Sequence, residues 1–511
     1  MTHLPVLPVL VPMVAAILLL AVHSAGAAVL RGVGLAAVAL LAAVAVLLLA
    51  ATAQGAVAVV AIGAWPPPFG IVLVADRLSA TMVAVTAAVA VPALLAATDG
   101  TDLQGRHFHP FFQMQLAGLN GAFLTGDLFN LFVFFEVLLI ASYALLAHGA
   151  GAARVRAGLH YVVLNLAASL VFLVGLALLY GALGTLNLAD VAGRLAALPL
   201  EEAAPARAGL ALIAGVFAFK AALLPLGFWL PHAYPAAAAP VAALFAVLTK
   251  VGIYALLRLS SVALADDAPA AAGLVAPWLM PAAIGTVVAA TLGVLAAPSL
   301  GAIAAHLLLL STGMLAAGVA EGSAPMLAAV LYYLPHTTLV SAGLFLLAGH
   351  IAATRGEEAR DRIRRGPRLP RPGLVGGAYL ALAVAVTGLP PLSGFLGKVM
   401  LLAAAPATPA GYAMWASFLL SGFVAALALA RAASVLFWER SEPRAAVGRA
   451  APPRLGLALA VAVGFVPLLV LGAAPLSAHA RATAEQVAAR RPYLEAVLPR
   501  DLPPAARERR P

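Results

Sequence analysis

Residues 217–259 read FAFKAALLPLGFWLPHAYPAAAAPVAALFAVLTKVGIYALLRL. Two lysines, Lys220 and Lys250, stand in apolar surroundings, with Pro225, Pro231, Pro235 and Pro240 between them. Proline lacks the N–H that a helix interior needs and clashes with the preceding turn. A helix carrying Lys220 must therefore break soon after it. Unwound backbone at membrane depth is tolerated only where protein or internal water satisfies it. The stretch predicts a broken membrane helix with a lysine beside a polar or hydrated gap.

The rest of the chain agrees. Its 511 residues are 64% hydrophobic and only 10% charged, with a mean hydropathy of +1.03. A soluble domain is about 25% charged, and a spanning helix needs roughly 20 apolar residues. Fifteen apolar runs extend from 5–22 to 455–475. The first has no basic residue before it and reads as a retained span rather than a cleaved signal. The runs 33–53 and 55–74 are separated only by TAQG, and WPPPFG at 65–70 forbids a helix there. They are counted as one span plus a re-entrant or extracytoplasmic piece. The expectation is an all-α polytopic membrane protein of about fourteen helices. No cysteine is present, so disulfides and thiolate-held clusters are excluded.

Basic residues orient the chain. With the first residue outside, the inside loops carry fifteen arginines, seven of them in RGEEARDRIRRGPRLPR at 355–371, against four in the outside loops. Seven more follow residue 476; a tail beyond the last span obeys the rule weakly. Both termini are expected outside a bacterial inner membrane. The net charge of +10 then reflects membrane orientation and does not suggest nucleic acid.

Lysine is rare here. Of thirty basic residues only Lys220, Lys250 and Lys398 are lysines, and all three lie in apolar segments. Arginine keeps its proton under nearly all conditions, whereas buried lysine can release one. Codon bias explains why lysine is scarce, not why the survivors are all in spans. Lys398 follows a second break, TGLPPLSGFLGKVMLL at 387–402, with Gly388, Pro390, Pro391, Gly394 and Gly397. Paired breaks in two halves are the sequence mark of an inverted-repeat transporter. Glu136 is the one carboxylate within LFNLFVFFEVLLIASYALL at 128–146, a helix that Asp127 is placed to cap. Four charges near mid-membrane at roughly 2.5–3.5 kcal/mol each come to about 10 kcal/mol, comparable to the stability of a whole domain. Pairing and internal water must offset that.

His336 lies mid-span beside Thr337 and Thr338, ahead of the second break, and reads as a proton relay. His306 and His232 are balanced between relay and packing. No metal-ligand cluster, phosphate loop or cofactor fingerprint is found, so neither metal nor cofactor is expected.

GDLFNLFVFFEVLLIASYALL (126–146), the stretch quoted first and TGLPPLSGFLGKVMLL together resemble the antiporter-like subunits shared by respiratory complex I and the multi-subunit Mrp cation/proton antiporters. The phrase around Glu136 is most similar to the D-type subunit of the Mrp assemblies. The resemblance covers residues 76–440. It implies fourteen helices with two inverted five-helix repeats, at spans four to eight and nine to thirteen, and broken seventh and twelfth helices. It also implies a Glu136–Lys220 pair, continued by Lys250, His336 and Lys398 as a mid-membrane proton path. One departure stands in the tenth helix, SLGAIAAHLLLL, where the family has a basic start and a polar pair after its histidine. Here Ser311 and Thr312 come later.

The organisation expected is N-terminal helices at 1–75, a proton-translocating core at 76–440, a last helix with its basic loop at 441–475, and a polar tail at 476–511. The implied function is the proton-moving subunit of a sodium or other monovalent cation/proton antiporter, with other membrane subunits as partners. A proton-pumping subunit of complex I or a membrane hydrogenase-like assembly, and a non-transporting scaffold, are the alternatives.

Overall fold

The computed structural model describes residues 3–264, 269–438 and 448–498. Arg440, Arg444 and the tail beyond residue 498 lie outside the described residues. Within them the fold is nearly all helix. The run 55–74 does not form a span: Ala58–Ala61 (β1) pairs antiparallel with Val72–Ala75 (β2). WPPPFG is the turn region between them, and its prolines have no N–H for either ladder or helix.

The N-terminal pair is α1 (Leu7–Ala21) and α2 (Ala27–Thr52). After the hairpin come α3 (Arg77–Ala97), α4 (Phe108–Leu124), α5 (Leu128–Ala147) and α6 (Ala152–Leu183). The short α7 (Leu188–Ala197) leads to α8 (Ala204–Lys220), which stops at the lysine, and α9 (Leu230–Ala236) resumes past the break. Next come α10 (Ala239–Phe245) and α11 (Leu248–Arg258), which make one crossing, then α12 (Ala276–Ala296), α13 (Leu300–Glu321) and α14 (Ala324–Ala359). The second break separates α15 (Pro372–Thr387) from α16 (Ser393–Ala404); α17 (Pro409–Ala433) and α18 (Pro453–Leu471) follow. Eleven helices among the described residues are long and apolar enough to cross a membrane. With α4 and the two broken pairs they account for fourteen crossings.

The described part of the polar tail, up to residue 498, is helical. It folds as α19 (Ala473–Ala489) and α20 (Arg491–Val497). Gln486 donates to the Gly55 carbonyl at 2.8 Å, and Arg77 donates to the Ala482 carbonyl at 2.8 Å. These bonds tie α19 to the hairpin and to the start of α3. Small residues such as Ala480 and Ala484 form the buried side of α19, a pattern too weak to stand out among its polar neighbours.

The loops gather on two faces. The hairpin, Asp127, Asn187, Arg258 and α20 share one: Gly126 N donates to Val72 O at 2.9 Å, Asp127 bridges to Asn187, and Arg258 lies 5.0 Å over the Tyr493 ring. On the other face, Arg154 donates to Ala236 O at 3.3 Å, Gly301 N to Asp361 at 2.8 Å, and Arg454 to Thr98 O at 3.3 Å. The described residues nearest both chain ends pack on the hairpin face. The central helices α10, α11, α13 and α14 are buried on nearly all sides. By contrast α2, α6 and α17 bury one stripe and turn Leu40, Leu170 and Phe423 outward, as a helix facing lipid or another membrane subunit does.

The first break meets its backbone groups within the protein. At the end of α8, Ala218 O accepts from Leu223 N (2.9 Å), and Phe219 O accepts from Ala222 N (2.9 Å) and the Trp229 indole (3.3 Å). Leu224 N donates to Thr286 Oγ1 at 2.7 Å. Ala222 sits at φ +58°, an unfavourable conformation for a residue with a Cβ. The freed groups of α8 are thus met by neighbours, as membrane depth requires.

Candidate functional site

The site is a row of polar side chains carried on successive helices. α5 packs on α6, α6 on α8, α8 on α11, α11 on α13, α13 on α14 and α14 on α16. α5, α8, α11, α14 and α16 carry Glu136, Lys220, Lys250, His336 and Lys398 in turn. α6 and α13 supply the partners of the first three.

Lys220, the last residue of α8, is 5% exposed. Its Nζ donates to Asn165 Oδ1 on α6 at 3.0 Å and lies 5.8 Å from the ring centroids of Phe135 and Phe219. Glu136, half-buried on α5, accepts from the Ser169 hydroxyl on α6. The expected direct pair is therefore not made: Glu136 with Lys220 is absent from the ion pairs among the described residues. The two side chains still lie near enough to interact electrostatically. The physical reason is that α6 inserts a neutral oxygen partner for each. Asp127 caps α5 as expected, accepting from Asn130 N at 2.8 Å, and burial at the helix start pushes its carboxyl up.

Lys250 is fully buried on α11. Its Nζ lies 3.3 Å from both Ser311 Oγ and Thr312 Oγ1 on α13. Those hydroxyls spend their hydrogens on Leu308 O, at 2.7 and 2.9 Å, which leaves lone pairs for the amine. The Ser/Thr pair that departs from the family's position thus meets this lysine. Gly252 permits the approach of α11 to the end of α8, because a Cβ there would lie 2.4 Å from Ala221 N.

His336 is buried on α14, with Nδ1 2.8 Å from Ser393 Oγ at the start of α16. Gly394 allows this crossing: a Cβ would fall 2.0 Å from Ala385 O and 2.7 Å from His336 Nε2. Lys398, 8% exposed, reaches back across the break to Thr387 O at 2.7 Å and Val386 O at 3.4 Å. Thr249, Tyr332, Thr337 and Ser341 bury hydroxyls with no protein partner among the described atoms.

The structure does not bring the other two histidines into this row. His306 Nδ1 bonds to Ala302 O of its own helix at 2.9 Å, and its ring covers Gly293 of α12. His232 is exposed and bonds to Phe228 O at 2.9 Å.

Asn165 and Ser169 escaped sequence reasoning. A signal existed: Tyr161, Asn165, Ala168, Ser169 and Phe172 form the buried stripe of α6 at helical spacing. The buried Arg258 differs from the lysines. Arg258 makes a two-pronged ion pair with Asp76 at 2.7 and 2.9 Å. Among the described residues the three lysines donate hydrogen bonds only to neutral oxygens. An amine donates to such acceptors whether or not it carries the extra proton, so these sites can hold lysine in either state.

The sequence matches the family model described as NADH:quinone oxidoreductase/Mrp antiporter, TM, over residues 125–425. It is 39% identical to the D-type subunit of a probable K(+)/H(+) antiporter of Rhizobium meliloti, over 97% of each chain. It is 33% identical to the D-type subunit of the Na(+)/H(+) antiporter of Alkalihalophilus pseudofirmus, over 98% of this chain and 100% of that one. The fold is similar to a chain in the Mrp complex of Dietzia sp. DQ12-45-1b, with a TM-score of 0.86 and 28% identity over 97% of this chain and 99% of that one.

Proposed function

The chain belongs to the NADH:quinone oxidoreductase/Mrp antiporter family of membrane subunits, and we propose that it moves the protons of a monovalent cation/proton antiporter complex. It is a transporter subunit rather than an enzyme, and it works beside other membrane subunits. Relatives are named for potassium in one case and sodium in another. Our reading is that sodium or another monovalent cation is exchanged for protons, and that this chain supplies the proton path.

One observation carries the reading: three buried lysines, each held by neutral oxygen atoms and none in a carboxylate ion pair among the described residues. A fixed buried charge calls for a counter-ion, as Arg258 has at the hairpin face. A group that loads and unloads a proton calls for acceptors that suit both states. The path proposed runs from Glu136 and Lys220 through Lys250 and His336 to Lys398. Thr249, Tyr332, Thr337 and Ser341 offer further hydroxyls that internal water can bridge. Proton transfer proceeds by coupled changes in affinity along this row and makes no covalent bond.

In this reading spans four to eight and nine to thirteen are the two inverted repeats of the core at 76–440, each with one broken helix. The hairpin face is the outer one, because the arginine-rich loops gather on the opposite face. Lys250→Ala in the complete complex tests the proposal. Everted vesicles should lose cation-induced proton movement while complex levels stay normal. Retained movement would contradict a path through Lys250.

A further inference from the structure

α6 contributes one inward stripe, and its two polar members touch both ends of the Glu136–Lys220 couple. Asn165 is fixed in orientation. Its Nδ2 donates to Tyr161 O at 2.9 Å, which turns Oδ1 toward Lys220 Nζ at 3.0 Å. Ser169 lies four residues on, one turn along the same face, and its hydroxyl donates to Glu136 Oε1. Each member of an opposite-charge couple thus has a neutral partner on one helix, and the couple stays apart. We propose that Asn165 and Ser169 are positioning residues that hold the Glu136–Lys220 pair open, and that exchange of these two partners for direct contact controls when Lys220 gives up its proton.

The inference rests on the reading that Lys220 carries protons. Direct contact with a carboxylate favours the charged amine; the open arrangement, with neutral oxygens only, favours release. The titratable groups on the elements packed around the couple include Tyr234 of α9, beside Tyr161. Tyr143 on α5 feels both Glu136 and Tyr161. α6 adds Tyr161 and Asn165, α8 adds Lys220 itself, and α11, packed against α8, carries Lys250, which is engaged with Ser311 and Thr312. Tyr161 is held by Ser142 at 3.1 Å. None of these supplies a second carboxylate, so the partner choice of Lys220 lies between Asn165 and Glu136.

A packing role for Asn165 and Ser169 makes a different forecast. It predicts changed protein levels with an unchanged pH dependence. The experiment measures cation-induced dequenching of a pH dye across external pH, in everted vesicles holding the complete complex. Asn165→Leu and Ser169→Ala each remove one neutral partner and let the couple close. Both should stay active with the pH optimum moved to the alkaline side by about one unit or more. Ser169→Thr keeps the hydroxyl and should keep the wild-type profile. Asn165→Asp places a carboxylate beside Lys220 and should move the profile further in the same direction. If Asn165→Leu does not assemble, the two Ser169 variants decide alone. A wild-type profile in Ser169→Ala at normal complex levels overturns the proposal. Wild-type transport in Lys220→Ala would instead overturn the reading beneath it.

Discussion

Lys398 donates a 2.7 Å hydrogen bond to the carbonyl oxygen of Thr387, the last residue of the half-helix that ends across the break from it. The C-terminal end of a helix carries roughly half a negative charge from its aligned peptide dipoles. Lys220 meets the same kind of field by another route, because it is itself the final residue of its half-helix. The two broken helices therefore provide a partial negative charge for an ammonium without a carboxylate. Such a field steadies the charged form and leaves it free to deprotonate.

Lys398→Arg keeps the charge but not the ability to release a proton. Antiport should be lost in this variant as it is in Lys398→Ala. Guanidinium bulk against Gly388, whose missing Cβ would lie 2.6 Å from Lys398 Cδ, is a competing cause of failure. Lys398→Glu separates the two causes, since glutamate is smaller and titratable. It should recover part of the activity at a displaced pH optimum. Full activity in the arginine variant with none in the glutamate variant would make Lys398 a fixed electrostatic element.

The three histidines should separate cleanly. His336 is buried against Ser393, whereas His306 bonds within its own helix and His232 is exposed. His336→Ala should abolish cation-induced dequenching. His306→Gln and His232→Gln should keep it within about twofold, since neither changes transition energies by more than a few tenths of a kcal/mol. Loss of transport in the His306 variant, at normal protein levels, would return that residue to the path.

The fold and the site were legible in the sequence to different degrees. Apolar length and proline breaks are local properties, so the spans and the two interrupted helices could be read directly. Run 55–74 is apolar enough for a span, yet strand pairing between Val59 and Val74 takes it instead. The direct Glu136–Lys220 contact failed because Asn165 and Ser169 come from a third helix, and only tertiary packing places them. The same holds for Ser311 and Thr312, displaced in sequence from the expected position yet adjacent to Lys250 in space. The polar end of the chain hid a helix whose buried side is made of small residues and one valine, Ala480, Thr483, Ala484 and Val487.

Asp102 anchors the arginine-rich face of the N-terminal bundle. It accepts from Arg31 at 2.7 and 2.9 Å and lies 3.1 Å from His109 Nε2. Burial alone would raise the Asp102 carboxyl; the bonds from Arg31 and His109 outweigh it and hold the group well below the usual carboxylate range. A carboxyl depressed in the folded state adds stability that is complete above its unfolded value, about pH 4. That stability is lost as pH falls through the folded value. Thermal scans of the purified complex should therefore show the Asp102→Asn penalty in full at pH 6 to 8 and a shrinking difference from wild type below about pH 4. A constant difference down to the lowest accessible pH would argue against this linkage.

Asp76 and Arg258 form a fully buried pair that joins the start of α3 to the end of α11. The carboxyl also caps α3, accepting from Ser79 N at 2.9 Å. Removing one partner strands the other charge, which costs about 3–5 kcal/mol. Asp76→Asn should lower complex yield and melting temperature. Whatever complex still assembles should transport normally, because the pair lies outside the lysine row. A stable but inactive Asp76→Asn complex would place this pair in the transport path.

The most direct test of the proton path replaces Lys220 by alanine, and separately Glu136 by glutamine, in the complete complex. Complex levels in everted vesicles would be matched to wild type, and cation-induced dequenching of a pH dye followed after respiration or ATP has acidified the lumen. A path through this couple predicts that both variants assemble and that neither dequenches. Wild-type dequenching by either variant at matched levels would contradict it.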